Sequence, residues 1–402
     1  MRKFLIPIQV ARGDAHADAV NGLGRDVALA TATGTAIGFT YAAHGPVLPL
    51  IIRDFGLADV QAGLISTAIF LAAAATMLLI GDLADRFPPR GAVTFGMALT
   101  LGGNAASAIA PSYELLLLAK AVGGVGAGFG FIAGIRYVQR RYGDARPHLG
   151  QGFYGAGYPL GSAIGFWAMP PLALLWDWRG AFAATSVVIA VVLVAWLWAT
   201  PVSRSAGRRG TMLDAARCRN CWWTLVQHAA GFGLVFAAGT WITTFLVREF
   251  SLPLGAGGLL GSLLLVIAVI ARPIGGFMVA REHLPTLAVM RGAQLTILMG
   301  VALIALPDRP LPIALAGAAL LGLGGGIPYS AVFNTAAASL PSAPSAATSL
   351  AAMGGLLGTL IGAPAMGYAI QTWGFSWAWL ILGFISTGAL AVTFVMRGEE
   401  QL

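Results

Sequence analysis

Runs of about twenty apolar residues, separated by short polar breaks, recur from one end of this 402-residue chain to the other. A helix needs about 20 such residues to cross a hydrocarbon core about 30 Å thick. Only structures that close their own backbone hydrogen bonds survive in that core. Twelve such segments are legible: 27–51, 60–80, 91–111, 115–138, 149–172 and 180–200, then 222–247, 256–280, 287–305, 311–338, 345–370 and 374–396. Only 10% of the residues are charged, against roughly 25% in soluble domains. The sequence therefore predicts an all-α polytopic membrane protein with twelve transmembrane helices.

The longest internal polar stretch, 201–221, carries Arg204, Arg208, Arg209, Arg217 and Arg219 and divides the chain almost in half. The expected plan is a tail over 1–26, a six-helix bundle over 27–200, a linker over 201–221, a second bundle over 222–396 and a tail over 397–402. The two halves repeat. Gly157, Gly161 and Gly165 in segment 5 match Gly354, Gly358 and Gly362 in segment 11 at an offset of 197. Gly126 and Gly128 match Gly322 and Gly324 at an offset of 196, and Gly81 matches Gly276 at 195. Three landmarks agreeing within two residues indicate a duplicated, pseudo-symmetric six-helix unit, with a substrate site expected between the copies.

Lysine and arginine set the orientation. If the N-terminus is inside, the outer loops hold only Arg53, Arg179, Arg248 and Arg309, and Lys120 and Arg272 fall within segments. Eighteen of the 24 basic residues then lie on the inner side. Both termini are expected in the cytoplasm, and the net charge of +8 speaks to topology rather than to nucleic acid. The first 26 residues lack a short apolar core with a small-residue cleavage site, so no signal peptide is expected. Arginine outnumbers lysine 22 to 2, a composition that suggests a bacterium and hence its inner membrane.

Several function classes find no support. Cys218 and Cys221 form a single Cys-x-x-Cys without the second pair of a zinc ribbon or a thioredoxin-like context. The glycine run 124–130 follows no strand, so it has no nucleotide-binding context. No nucleophile elbow or metal cluster is present, and neither an enzyme nor a cofactor is expected. Ionisable groups at membrane depth are costly and point to function. Arg272 lies deep in segment 8, and Lys120 lies near the outer end of segment 4 with a stem long enough to snorkel. No carboxylate sits mid-helix, so any proton coupling falls to His44, His228 or Lys120. A positive interior without an acid favours an anionic solute, with protons or a counter-transported anion as co-partners. Tyr41, Tyr158, Trp241, Tyr329 and Asn334 are candidates for lining the cavity beside Arg272.

The loop Gly81-Asp82-Leu83-Ala84-Asp85-Arg86-Phe87-Pro88-Pro89-Arg90 resembles the loop 2–3 motif of the major facilitator superfamily, with Pro88 and Pro89 departing from its usual glycine and base. The resemblance implies two six-helix bundles that rock about a central site, as a monomer with no cofactor. It implies a cytoplasmic latch in which Gly81, Asp85, Arg86 and Arg90 face the start of segment 11, with Arg136 and Arg140 at the end of segment 4. It also implies that the glycine seams of segments 5 and 11 border the interface between the halves. The run Ala271-Arg272-Pro273-Ile274-Gly275-Gly276 resembles the nitrate/nitrite porter branch, where an arginine here binds the anion and a second lies on segment 2. The repeat offset of 195 instead places Met77 at the partner position. Transport of a small anion by alternating access is expected. Efflux of an amphipathic compound and a non-transporting membrane scaffold stay open as alternatives.

Overall fold

The computed structural model describes residues 13–80, 88–142, 147–202, 211–281 and 284–402. Twelve helical spans follow one another as the apolar segments predict. In the first half they are Gly13–Ala42 continued by Leu48–Phe55 (span 1), Asp59–Ile80 (span 2), Pro89–Ala108 (span 3) and Tyr113–Tyr142 (span 4). Spans 5 and 6 share the run Pro147–Trp196, which is interrupted at Trp176 and Asp177. The linker contains a short helix, Met212–Arg217, whose first turn is closed by reciprocal bonds between Thr211 and Asp214, a capping box.

The second half runs Arg219–His228 through a π-helical turn, Ala229–Gly233, to Leu234–Phe250 (span 7), then Leu254–Arg281 (span 8) and Thr286–Ile304 (span 9). Span 10 is Leu311–Gly326 followed by Tyr329–Ser339, span 11 is Pro344–Trp373 and span 12 is Phe375–Val392. Pro328 separates the two parts of span 10, because proline lacks an N–H to continue the ladder. The helix of span 1 begins at Gly13, so part of the expected tail is helical.

The glycine seams hold each bundle together. A methyl group on Gly157 would lie 2.7 Å from the carbonyl of Thr31, and one on Gly161 would collide with the carbonyl of Thr35. Gly358 meets the carbonyl of Ala229 at 2.7 Å in the same sense, and Gly354 meets that of Leu225. Span 5 is therefore bound to span 1, and span 11 to span 7, by close backbone approach. This corrects the expected place of the seams: Gly157, Gly161, Gly165, Gly354, Gly358 and Gly362 lie inside the bundles, not between them. The equivalence of the pairs 1–5 and 7–11 agrees with the repeat.

The residues around Asp26 at the start of span 1 and the C-terminal tail lie on one face. There Asp26 accepts from Arg141 at 2.6 Å and from the Thr200 backbone at 3.1 Å. The C-terminal tail folds back, with Asn220 held by the carbonyl of Arg397 at 3.0 Å and Glu400 accepting from the Thr286 hydroxyl at 2.8 Å. On the opposite, far face the two bundles meet. Arg248 donates to both carboxylate oxygens of Asp59 at 2.8 and 3.0 Å. Thr67 donates to the carbonyl of Leu360 at 2.9 Å, and Trp167 to Ser262 at 2.8 Å.

Candidate functional site

Between the bundles, on the chain-end side of these contacts, lies a cavity with about 500 Å³ of empty space including its open mouth. The first bundle contributes Tyr41, Met77, Phe131 and Tyr158, and the second contributes His228, Phe232, Arg272, Tyr329 and Phe333. Local irregularities aim several of these side chains. The π-helical turn contains Phe232 and follows directly on His228. The second part of span 10 starts at Tyr329, and Pro273 follows Arg272 inside span 8. Such π turns are frequent at functional sites.

Arg272 is the charged side chain among the described lining residues. Its guanidinium lies 4.4 Å from the centre of the Tyr329 ring and 5.6 Å from that of Phe232. Its Nε is buried without a hydrogen-bond partner, and no ion pair joins it to a described carboxylate. An arginine held by ring faces keeps its N–H edges free, and a forked donor of this kind matches a carboxylate or oxyanion with paired bonds. Beside it, His228 bonds through Nδ1 to the carbonyl of Ala351 at 3.1 Å, while its Nε2 has no partner. The hydroxyl of Tyr41 is likewise buried and unpartnered. Tyr158 is tied to Tyr154 at 3.1 Å, and Tyr154 donates onward to the carbonyl of Gly130 at 2.6 Å.

A smaller cavity, lined by Tyr41, His44, Phe236 and Thr240, lies next to the first toward the far face. Tyr41, Phe70 and Phe236 pack ring on ring there, with Tyr41 stacked on Phe70 at 4.8 Å. Behind them His44 Nε2 meets Ser66 at 2.7 Å, and Ser66 meets Thr240 at 2.8 Å. This chain crosses from one bundle to the other and helps close the far side.

The candidates thus separate. Arg272, Tyr41, Tyr158, Tyr329 and His228 come together around the cavity, as does Met77 at the position the repeat offset gives it. Trp241 does not join them, because its indole N–H is used on the carbonyl of Ala363 at 2.8 Å and the residue is wholly buried. Asn334 is exposed and lies outside the lining. Lys120 does not snorkel: it is 1% exposed, with its ammonium 3.7 Å from the centre of the Phe182 ring. Phe131, Phe232 and Phe333 were not singled out from sequence. The four-residue ladders His228-Phe232-Phe236 and Tyr329-Phe333 were the available signal, since such spacing places rings on one helix face.

Of the expected latch, Gly81, Asp85 and Arg86 lie outside the described residues, as does the side chain of Arg140. Arg90 is bound within the first bundle. Its guanidinium donates to the carbonyl of Leu197, and its own carbonyl accepts from Trp196 at 3.3 Å. Arg136 is half-buried on span 4.

Paired six-helix bundles around a central cavity define a membrane transporter. Residues 30–347 match the family described as Major Facilitator Superfamily, and the chain belongs to it. It is a secondary transporter and not an enzyme. A relative, the probable nitrate/nitrite antiporter NarK1 of Thermus thermophilus, is 26% identical over 357 residues, covering 80% of each chain. Among solved structures, a D-xylose-proton symporter superposes with a TM-score of 0.80 at 13% identity, covering 94% of this chain and 99% of that one. A bacterial homologue of the human lysosomal transporter Spinster, inward-facing and unoccupied, gives 0.76 at 16% identity, covering 93% and 96%.

Proposed function

We propose that this protein moves a small anion across a bacterial inner membrane by alternating access, with both termini in the cytoplasm and Arg272 as the anion's anchor. The observation that carries this reading is the unpaired guanidinium of Arg272 in the cavity between the bundles. A half-buried cation with its Nε shut off from solvent and no acid partner is costly, and a bound anion removes that cost. The nitrate/nitrite antiporter named above, at 26% identity, adds weak support for an anionic solute. With the far side joined through Asp59–Arg248 and Ser66–Thr240, the described state is the one accessible from the cytoplasm. His44, His228 and Lys120 are the coupling candidates if protons are co-transported. The unit is read as a monomer.

The test is thermal stability of the purified protein with and without candidate anions. Arg272→Lys keeps the charge but loses the fork, and is expected to weaken binding at least tenfold, about 1.4 kcal/mol. Arg272→Ala should abolish the ligand-induced shift. A folded Arg272→Ala protein that retains the full shift refutes the anchor. The aromatic lining favours a second reading, efflux of an amphipathic compound, which requires no loss of binding on removing the charge.

A further inference from the structure

We infer that the cavity selects an organic monocarboxylate with a flat apolar body, such as an aromatic acid, over a small inorganic oxyanion. The inference rests on the reading of Arg272 as anion anchor and names what surrounds it.

The cavity is electrically one-ended. Its described cationic side chain is Arg272, and at the repeat-equivalent place in the opposite bundle stands the thioether of Met77. The polar groups without partners are His228 Nε2 and the Arg272 Nε on the second bundle's side, against the lone, uncharged hydroxyl of Tyr41 on the first. A compact oxyanion exposes oxygens in every direction and pays for each one left without a donor. Here it would meet a fork on one side and, on the other, rings and a thioether with a single free hydroxyl, that of Tyr41. A carboxylate directs both oxygens one way and carries its apolar remainder the other.

That remainder has walls made for a ring. In the first bundle Phe131 and Tyr158 meet edge to face at 5.2 Å, and Tyr158 lies 6.2 Å from Tyr41. In the second, Tyr329 and Phe333 are 4.7 Å apart, with Phe232 stacked on His228 at 5.3 Å. Aromatic side chains bury large areas and favour offset or edge-to-face approach by another ring. The two sets face one cavity from opposite bundles, so a planar body placed between them touches both. Its binding energy then depends on the bundles being brought together, which is what a transported solute must sense.

Full-length protein in lipid nanodiscs would be titrated with benzoate, its neutral isostere benzamide, acetate and nitrate. Thermal shift and calorimetry serve as readouts, and counterflow in proteoliposomes provides the transport measurement. Benzoate is expected to bind at least tenfold more tightly than acetate or nitrate, with no measurable binding of benzamide. Phe333→Leu should cut benzoate affinity severalfold more than acetate affinity. Met77→Arg should narrow the gap between benzoate and nitrate by adding a second cation. If nitrate or acetate equals or exceeds benzoate, in a manner that still requires Arg272, the inference is overturned while the anion anchor stands. Benzamide binding as tightly as benzoate overturns both, as does binding of these probes that is indifferent to Arg272. Absence of any benzoate binding overturns the inference.

Discussion

The polar contacts that close the far side can be removed one at a time, and their cost is calculable. Arg248 reaches Asp59 from a position 36% exposed, its partner being 14% exposed. A pair so open to solvent is worth up to about 1 kcal/mol. Ser66 is wholly buried and links His44 to Thr240. In Ser66→Ala the second ring nitrogen of His44 loses its partner as well, while Thr240 keeps only its bond to the carbonyl of Phe236. Stranding a buried polar group costs about 1–3 kcal/mol. Once the far side opens, water replaces these bonds, so the losses fall on the closed state alone. Ser66 and Asp59 are two helical turns apart and share no partner, so the terms should add.

The double variant Ser66→Ala/Arg248→Ala should therefore shift the closed-to-open ratio by about 1–4 kcal/mol, roughly 5- to 900-fold. Leu265, buried beside the small cavity, is a suitable reporter. After Leu265→Cys, labelling by a membrane-impermeant thiol reagent from the far side measures the open population. The rate should rise in each single variant and most in the double one, with the Arg248 contribution shrinking as salt is raised. An unchanged rate in a double variant that melts normally refutes the assignment of these contacts as the closure.

Other perturbations follow from particular environments. Gly161→Ala drives a methyl group into the Thr35 carbonyl and should cost about 1–3 kcal/mol of stability; Gly102→Ala, in open space, should cost nothing in the same melting assay. Lys120→Met removes a buried ammonium with no hydrogen-bond partner and is expected to raise Tm; if pH-driven accumulation is unaltered in this variant, Lys120 is not part of coupling. Replacing both His44 and His228 by Gln should leave exchange intact and remove accumulation driven by a pH gradient, and accumulation that persists with a strong-acid substrate excludes histidine coupling. Burial pushes the Glu400 carboxyl up, but hydrogen bonds from its own backbone and from Thr286 outweigh this and hold it below the usual carboxylate range. The C-terminal clasp it makes should be fully present above the ordinary glutamate value of about 4.3 and lost as pH falls through the lower folded value. Proteolysis of the tail measures this, and Glu400→Gln should make the tail equally labile at neutral pH.

The membrane-spanning plan was legible because hydrocarbon imposes one rule on every segment, and the break at Pro328 or Trp176 does not disturb it. The duplication was legible too, and its arithmetic alone pairs Met77 with Arg272, both of which line the cavity. What four-residue glycine spacing leaves open is the neighbour. It marks a smooth face on span 5, but both span 1 and the opposite bundle are smooth enough to meet it. Trp241 illustrates a second limit, since an indole suits a cavity wall and a buried carbonyl equally well. Phe232 and Phe333 were hidden by composition: in a bilayer protein a phenylalanine facing a cavity and one facing lipid look alike.

The backbone-on-backbone seams have a consequence for the kinetics of the transport cycle. Where a glycine lies against a carbonyl there are no side-chain rotamers to reorder, so spans 1 and 5, and spans 7 and 11, are coupled without compliance. Each bundle then has little internal give, and the barrier to reorientation is left to the belt of contacts between them, where Gly63 and Gly45 also lie against carbonyls of the opposite bundle, those of Ala363 and Gly239. Transport rate and fold stability become nearly separate quantities. Substitutions in the belt, at positions such as Thr67, Ser66 or Ser262, retune the speed and its temperature dependence, while the seam sets the temperature at which the protein fails. Lineages adapting to warmer or colder habitats have a route to change turnover by altering a few polar residues on the far side, without touching the packing that keeps each half intact.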